Sequence, residues 1–387
     1  MASSRKPDRL NDLFPKGANA LLAGSGAQFV ERLGIEAIKT VVHRVMLGQN
    51  LRAETEPLSR RRITLVSGAL INLFARGHSS DRGFAKALSR LAVNQLVSAS
   101  TADKGSVWIA QWMIGQTGKG VQNILRGNPE ELQPYVDAFE STIQDAAKTC
   151  EAEYGRHSIT ITYTDETGKE RDALLDWEAI VRLTTAIGCQ TLAIRGSDKS
   201  LYGKLFERLI LGSVLSVLGF KHVSRDQIGR AGAEKVFWLS DSSASREADA
   251  TMLLSPGNIA RFDIGFIGVG NSEISKDKLS RFEREHELNG RKHASTTFIV
   301  VDRLPRTGKT EQAARRIGAE IIQMSMHNWV QELAQKLHQR MGYRHPLATM
   351  QLSKCDAYLK TALKTVNVAA FVSGGLPTDD GSVDADE

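Results

Sequence analysis

Residues 247–283 read EADATMLLSPGNIARFDIGFIGVGNSEISKDKLSRFE, and a charged linker carries the chain on to STTFIVVD at 295–302. The β-type runs 250–254 and 259–267 flank Ser255-Pro256-Gly257-Asn258, a turn signal, so together they predict an antiparallel hairpin. Asp263 sits inside the second run. A carboxylate in an apolar strand is costly to bury without compensation, so it ends a strand, takes hydrogen bonds or faces a metal. Glu247 and Asp249 open the first run, Glu273 follows Asp263 at a distance of ten positions, and Lys276 and Lys278 come next. Carboxylates and lysines around short strands are what a Mg²⁺-dependent hydrolase of phosphodiesters needs. Hard oxygen ligands hold the ion, and an ammonium supports the attacking water and the charge that develops on phosphorus. Asn271-Ser272-Glu273 also reads as a helix N-cap with an acid in the first turn, a purely structural role for Glu273.

The 387 residues are enough for two or three modest domains, and 41% hydrophobic with 6% aromatic residues allows a sizeable core. No apolar run approaches the roughly 20 residues of a membrane span. The N-terminal MASSRKPDRLND has no apolar segment behind its charges, which predicts a cytoplasmic protein. Three cysteines, Cys150, Cys189 and Cys355, stand far apart without metal-ligand spacing. The net charge is +6. Residues 1–150 carry 19 basic against 13 acidic side chains, while residues 374–387 have five acids and no base. A basic body with an acidic tail fits a polyanion-binding protein, although many basic proteins never touch nucleic acid.

From residue 17 to about 126 apolar residues recur at helical spacing, with joints at 48–50, 76–81 and 98–105. Arg60, Arg61 and Arg62 read as the opening of one helix; Arg76, His78, Arg82 and Lys86 gather at the next joint. With Lys119 and Lys199, the arginines at 60, 61, 62, 76 and 82 are the candidate DNA contacts, against the alternative of a solvated face. Neither Gly115-Gln116-Thr117-Gly118-Lys119-Gly120 nor Arg306-Thr307-Gly308-Lys309-Thr310 has phosphate-loop spacing. HSITITY at 157–163 and residues 171–175 predict a second hairpin, so a boundary near Tyr154 separates a helical, basic region of residues 1–154 from a core of residues 155–372 and an acidic tail of residues 373–387. Residues 195–204 read as the opening of a helix over 201–218, on which Glu207 borders the apolar stripe. It pairs with Lys204 or points to a metal. The helix, three strands, helix, strand, helix, strand, helix order that follows describes an α/β (α+β) fold, a mixed central sheet flanked by helices.

That order, with RGSDKSLYGKLFERLILGSVLSVLGF at 195–220 and the stretch at 247–283, resembles the PD-(D/E)XK nuclease core, and within it type II restriction endonucleases of the CfrBI family. The resemblance implies a Mg²⁺-dependent, sequence-specific nuclease of double-stranded DNA that leaves 5′-phosphate and 3′-hydroxyl ends and works as a homodimer. It assigns a helix acid (Glu207), a strand aspartate and an acid-x-lysine. No acid-x-lysine follows either aspartate here. In one registration Asp249 and Asp263 are the acids and Gly265 stands where lysine belongs; in the other they are Asp263 and Glu273, with Ser275 in the lysine position and Lys276 beside it. Lys276 or Lys278 then supplies the ammonium. Two other readings compete: a DNA-binding protein without chemistry, and a different metal-dependent phosphohydrolase.

Overall fold

The structure, a computed structural model, describes residues 9–81, 83–98, 103–118, 132–224, 234–240, 248–265, 295–304 and 318–373. By contact the chain groups into two units, Met1–Gly24 with Ser59–Lys199, and Ser25–Leu58 with Ser200–Glu387. The division falls inside two long helices, α5 (Leu51–Ser80) and α9 (Trp177–Val217).

The first unit contains α1 (Leu10–Leu13), α2 (Lys16–Ala23), most of α5, α6 (Phe84–Ser98), α7 (Lys104–Met113), α8 (Leu132–Tyr154) and the start of α9. Its hairpin is β1 (Ile159–Thr164) paired antiparallel with β2 (Glu170–Leu175), as the alternation predicts. Arg60, Arg61 and Arg62 do not open a helix: they lie in the interior of α5, and Arg76 and His78 belong to its last turns rather than to a joint. The signal that misled was Gly77. A Cβ there would stand 2.3 Å from Cε1 of Phe84, so this glycine lets α5 approach the Phe84 ring instead of turning the chain. The Phe74 and Phe84 rings meet edge to face at 6.3 Å. On α9, Arg182 donates to Glu140 of α8 and to Glu178 one turn earlier.

In the second unit, α3 (Gly26–Leu33) starts with a capping box. Gln28 N–H donates to Ser25 Oγ (3.2 Å) and the Gln28 side chain accepts from Ser25 N–H (2.9 Å), which satisfies two backbone donors at the helix start. Gly34, at φ 108°, turns the chain into α4 (Ile35–Met46). Six strands form one mixed sheet in chain order: β3 (Lys221–His222), β4 (Val236–Leu239), β5 (Ala250–Ser255), β6 (Asn258–Gly265), β7 (Ser295–Val301) and β8 (Glu320–Gln323). The β3/β4, β6/β7 and β7/β8 pairs are parallel, and β4/β5 and β5/β6 antiparallel. This is an α/β fold with the mixed sheet expected from the sequence. Phe237, Ala250, Met252, Phe262, Phe298 and Ile322, all fully buried, alternate onto one face. Phe262 and Phe298 are register partners whose rings stack at 5.1 Å, which contributes roughly 0.5–1.5 kcal/mol beyond area burial. Helices α10 (Trp329–Met341) and α11 (Leu352–Lys364) follow. Residues 195–204, expected to open a helix, are interior to α9. Among the described residues no helix is long and apolar enough to cross a membrane.

Candidate active site

The hairpin β5/β6 closes through Pro256-Gly257, with Gly257 at φ 80°, a value glycine adopts without strain. Next to the turn Ser255 pairs with Asn258, but beyond a bulge at Leu254 the register becomes Leu253 with Ile259 and ends at Ala250 with Phe262. One step further it sets Asp249 opposite Asp263. Oδ2 of Asp249 accepts from the N–H of Ile264 at 2.8 Å, which ties this carboxylate to the strand that carries the other. Asp263 is 4% exposed and Asp249 half-buried. Like charges directly opposite on a sheet repel, and burial strengthens the repulsion.

Neighbouring elements hold this edge in place. The Ser240 N–H donates to the Asp249 carbonyl at 3.1 Å, and the Ser240 carbonyl accepts from Nη1 of Arg208. Arg208 lies on α9 beside Glu207 and also donates through Nε to the Phe371 carbonyl at 2.8 Å. Leu205, Phe206, Leu209 and Ile210 are buried while Glu207 is half-buried, the border position its helical spacing predicts. One acid was missed in the sequence. Asp302 follows β7, donates its N–H to the Gly265 carbonyl at 3.2 Å and accepts from the Ser325 N–H at 3.1 Å. Burial raises its carboxyl above the usual range, against the opposing pull of Arg303 and Arg52. An aspartate ending a buried apolar strand was the available signal. Because β5 runs against β6 and β7 runs with it, Asp249, Asp263 and Asp302 share one end of the sheet.

Glu273, Lys276, Lys278, Arg82 and Lys119 lie outside the described residues, as does the Lys199 side chain. Of the other basic candidates, Arg60 and Arg61 are exposed and Arg76 pairs with Glu166 at 3.1 Å. Arg62 does not reach solvent. It is 1% exposed, donates through Nε and Nη2 to the Leu21 carbonyl (3.0 and 2.8 Å), and its Nη1 reaches Asp198. His78 packs between Phe74 and Phe84, and burial lowers its pKa. Trp329 is fully buried and donates to the Val45 carbonyl.

Among the described residues no group of three or more His, Cys, Asp or Glu side chains is gathered to hold a metal ion. Two opposed carboxylates nevertheless fit Mg²⁺, which is commonly held by one or two carboxylates together with substrate phosphates. The mixed sheet thus carries acids at one end, and Arg208, beside Glu207 on α9, bonds to the Ser240 carbonyl next to Asp249. A profile of the CfrBI restriction endonuclease family matches residues 35–309, and the chain belongs to that family of type II site-specific deoxyribonucleases. The type II restriction enzyme CfrBI of Citrobacter freundii is 30% identical over 365 residues, which is 93% of this chain and 97% of that protein. No solved structure matches the chain.

Proposed function

We propose that the chain hydrolyses both strands of a specific duplex site in a Mg²⁺-dependent reaction that leaves 5′-phosphate and 3′-hydroxyl ends. The observation that carries this reading is the opposition of Asp249 and Asp263 at one end of the two central strands. These two carboxylates would hold the ion, with Glu273 the other candidate for the second acid and Glu207 the helix acid. When bound, a divalent ion acidifies the attacking water and neutralises charge on the phosphate. Lys276 or Lys278 orients the water with its ammonium, in place of the lysine that Gly265 lacks. Arg60, Arg61, Arg76, Arg82, Lys119 and Lys199 supply phosphate contacts, and the helices of residues 1–154 serve recognition and dimerisation. Cutting two strands of a symmetric site calls for two active sites, hence a homodimer.

The test is incubation of phage and plasmid DNA with the protein in Mg²⁺, beside an EDTA control and Asp263→Ala. Discrete, Mg²⁺-dependent fragments that the variant fails to make, while it still binds duplex, are the expected result. Gly265 at the lysine position favours a second reading, a DNA-binding protein without chemistry. Intact DNA with retarded migration in every lane would establish it.

A further inference from the structure

Helices α4 and α11 enclose a cleft of about 650 Å³. Its walls carry Lys39, Arg44, Lys360 and Lys364 against Glu36 and Asp356. Asp356 is engaged by Nε2 of His43 at 2.9 Å, Lys39 donates to the Lys364 carbonyl at 2.7 Å, and Arg44 lies 3.4 Å from Glu54. Lys360 and Lys364 are exposed, one turn apart on α11, and make no ion pair among the described residues. One turn is about 5.4 Å, so the two ammonium groups point the same way and present a double charge along the cleft.

The position of the cleft identifies what this charge meets. At the Arg44 and Gln49 end, the Leu47 carbonyl contacts Nδ1 of His327 (3.0 Å) and the Val45 carbonyl accepts from Trp329. Both residues follow β8, and Ser325 just before them bonds to Asp302. The Arg44 end of the cleft therefore lies beside the sheet end that carries Asp249, Asp263 and Asp302, and Lys360 and Lys364 extend away from it toward Lys39. We propose that the α4/α11 cleft seats the phosphodiester backbone of the duplex flanking the cut position, a reading that rests on the nuclease function above. The ligand chemistry is the phosphate group. A duplex offers a row of them, one per about 3.4 Å of axis on each strand, which suits an elongated double row of cations better than a single free anion does.

The experiment measures duplex affinity by fluorescence anisotropy with the full-length protein in EDTA, across a salt series. Wild type is compared with Lys360→Ala/Lys364→Ala and, as a charge-matched control on exposed lysines of the β1/β2 turn and of β3, Lys169→Ala/Lys221→Ala. Each lost phosphate contact lowers the slope of log K against log salt by about 0.9, so the cleft variant is expected to be shallower by about 1.8 and at least about tenfold weaker at moderate salt, with the control unchanged. An unchanged slope, or an equal change in the control, overturns the cleft. So does saturable binding of inorganic phosphate that the cleft variant abolishes without altering the duplex slope, because the site then takes a free anion. Wild type that binds and cuts duplex while the cleft variant matches it overturns the cleft alone; wild type that ignores duplex DNA removes the nuclease reading and the cleft together.

Discussion

Arg62 separates two roles that three consecutive arginines make indistinguishable on paper. Its guanidinium is spent on the Leu21 carbonyl, Ser197 and Asp198, with the Trp108 ring 5.9 Å from Cζ. Arg62→Met keeps the volume and strands Asp198, which is 4% exposed and has Oδ2 without a hydrogen-bond partner. Removing one member of a buried ion pair costs about 3–5 kcal/mol. Burial already pushes the Asp198 carboxyl above its ordinary range, against the pull of Arg62. The stranded acid therefore takes up a proton, which holds the loss near the lower figure, about 3 kcal/mol or two decades in the folded-to-unfolded ratio. In the variant the folded carboxyl keeps its proton to higher pH than the unfolded one. The stability it retains is thus full below about pH 4 and falls as pH rises through the raised folded value. Urea denaturation followed through Trp108 and Trp112 reads the effect as a midpoint lower by about 1 M or more. Arg62→Met/Asp198→Leu should recover most of the loss, since no buried charge remains. Duplex affinity per folded molecule should not change, whereas Arg60→Ala and Arg61→Ala should weaken it without moving the midpoint. A wild-type midpoint with weakened DNA binding in Arg62→Met would refute the reasoning.

Two further perturbations test the packing and the site. Gly77→Ala and Gly68→Ala should have opposite signs: the first drives a methyl into the Phe84 ring and costs about 1–3 kcal/mol, while the second meets nothing within 4 Å on an exposed helix face and gains about 0.5–1 kcal/mol. Thermal melts of the two proteins decide it, and equal shifts would contradict the assigned contact. Deleting Leu254 should remove the bulge but leave Leu253 paired with Ile259, so Asp249 stays opposite Asp263 and cleavage persists; lost cleavage with the strand signal of circular dichroism intact would show that the opposition of the two acids does not suffice for the site.

Local rules read the sheet well because its determinants are local. Alternation and the Pro256-Gly257 turn place β5 and β6 to within a residue or two, and the apolar run before Asp302 marks β7. The joint predicted at 76–81 contains Gly77 and the helix start predicted at 195–204 contains Gly196 and Gly203, while Gly188 stands a little earlier in α9. At Gly77 the glycine answers to a neighbouring ring; at the other three nothing stands within 4 Å, and α9 tolerates them at about 1 kcal/mol each, set against the burial of its apolar stripe. The partnership of Arg62 with Asp198 spans 136 positions, and nothing in either neighbourhood announces it.

The acids show why a linear motif was the wrong instrument here. A search for acid-x-lysine measures distance along the chain, whereas the pairing of Asp249 with Asp263 is set across two strands. A two-residue turn that pairs Ser255 with Asn258, extended without interruption, would place Asp249 opposite Ile264. Side chains alternate between faces, so the two carboxylates would then be out of step and on opposite sides of the sheet. The bulge at Leu254 shifts the register by one residue and returns them to the same side. Asp249 then accepts from the Ile264 N–H with its side chain. On the proposed reading in which Asp249 and Asp263 are the two acids, the lysine position falls on Gly265, and the ammonium would have to come from Lys276 or Lys278.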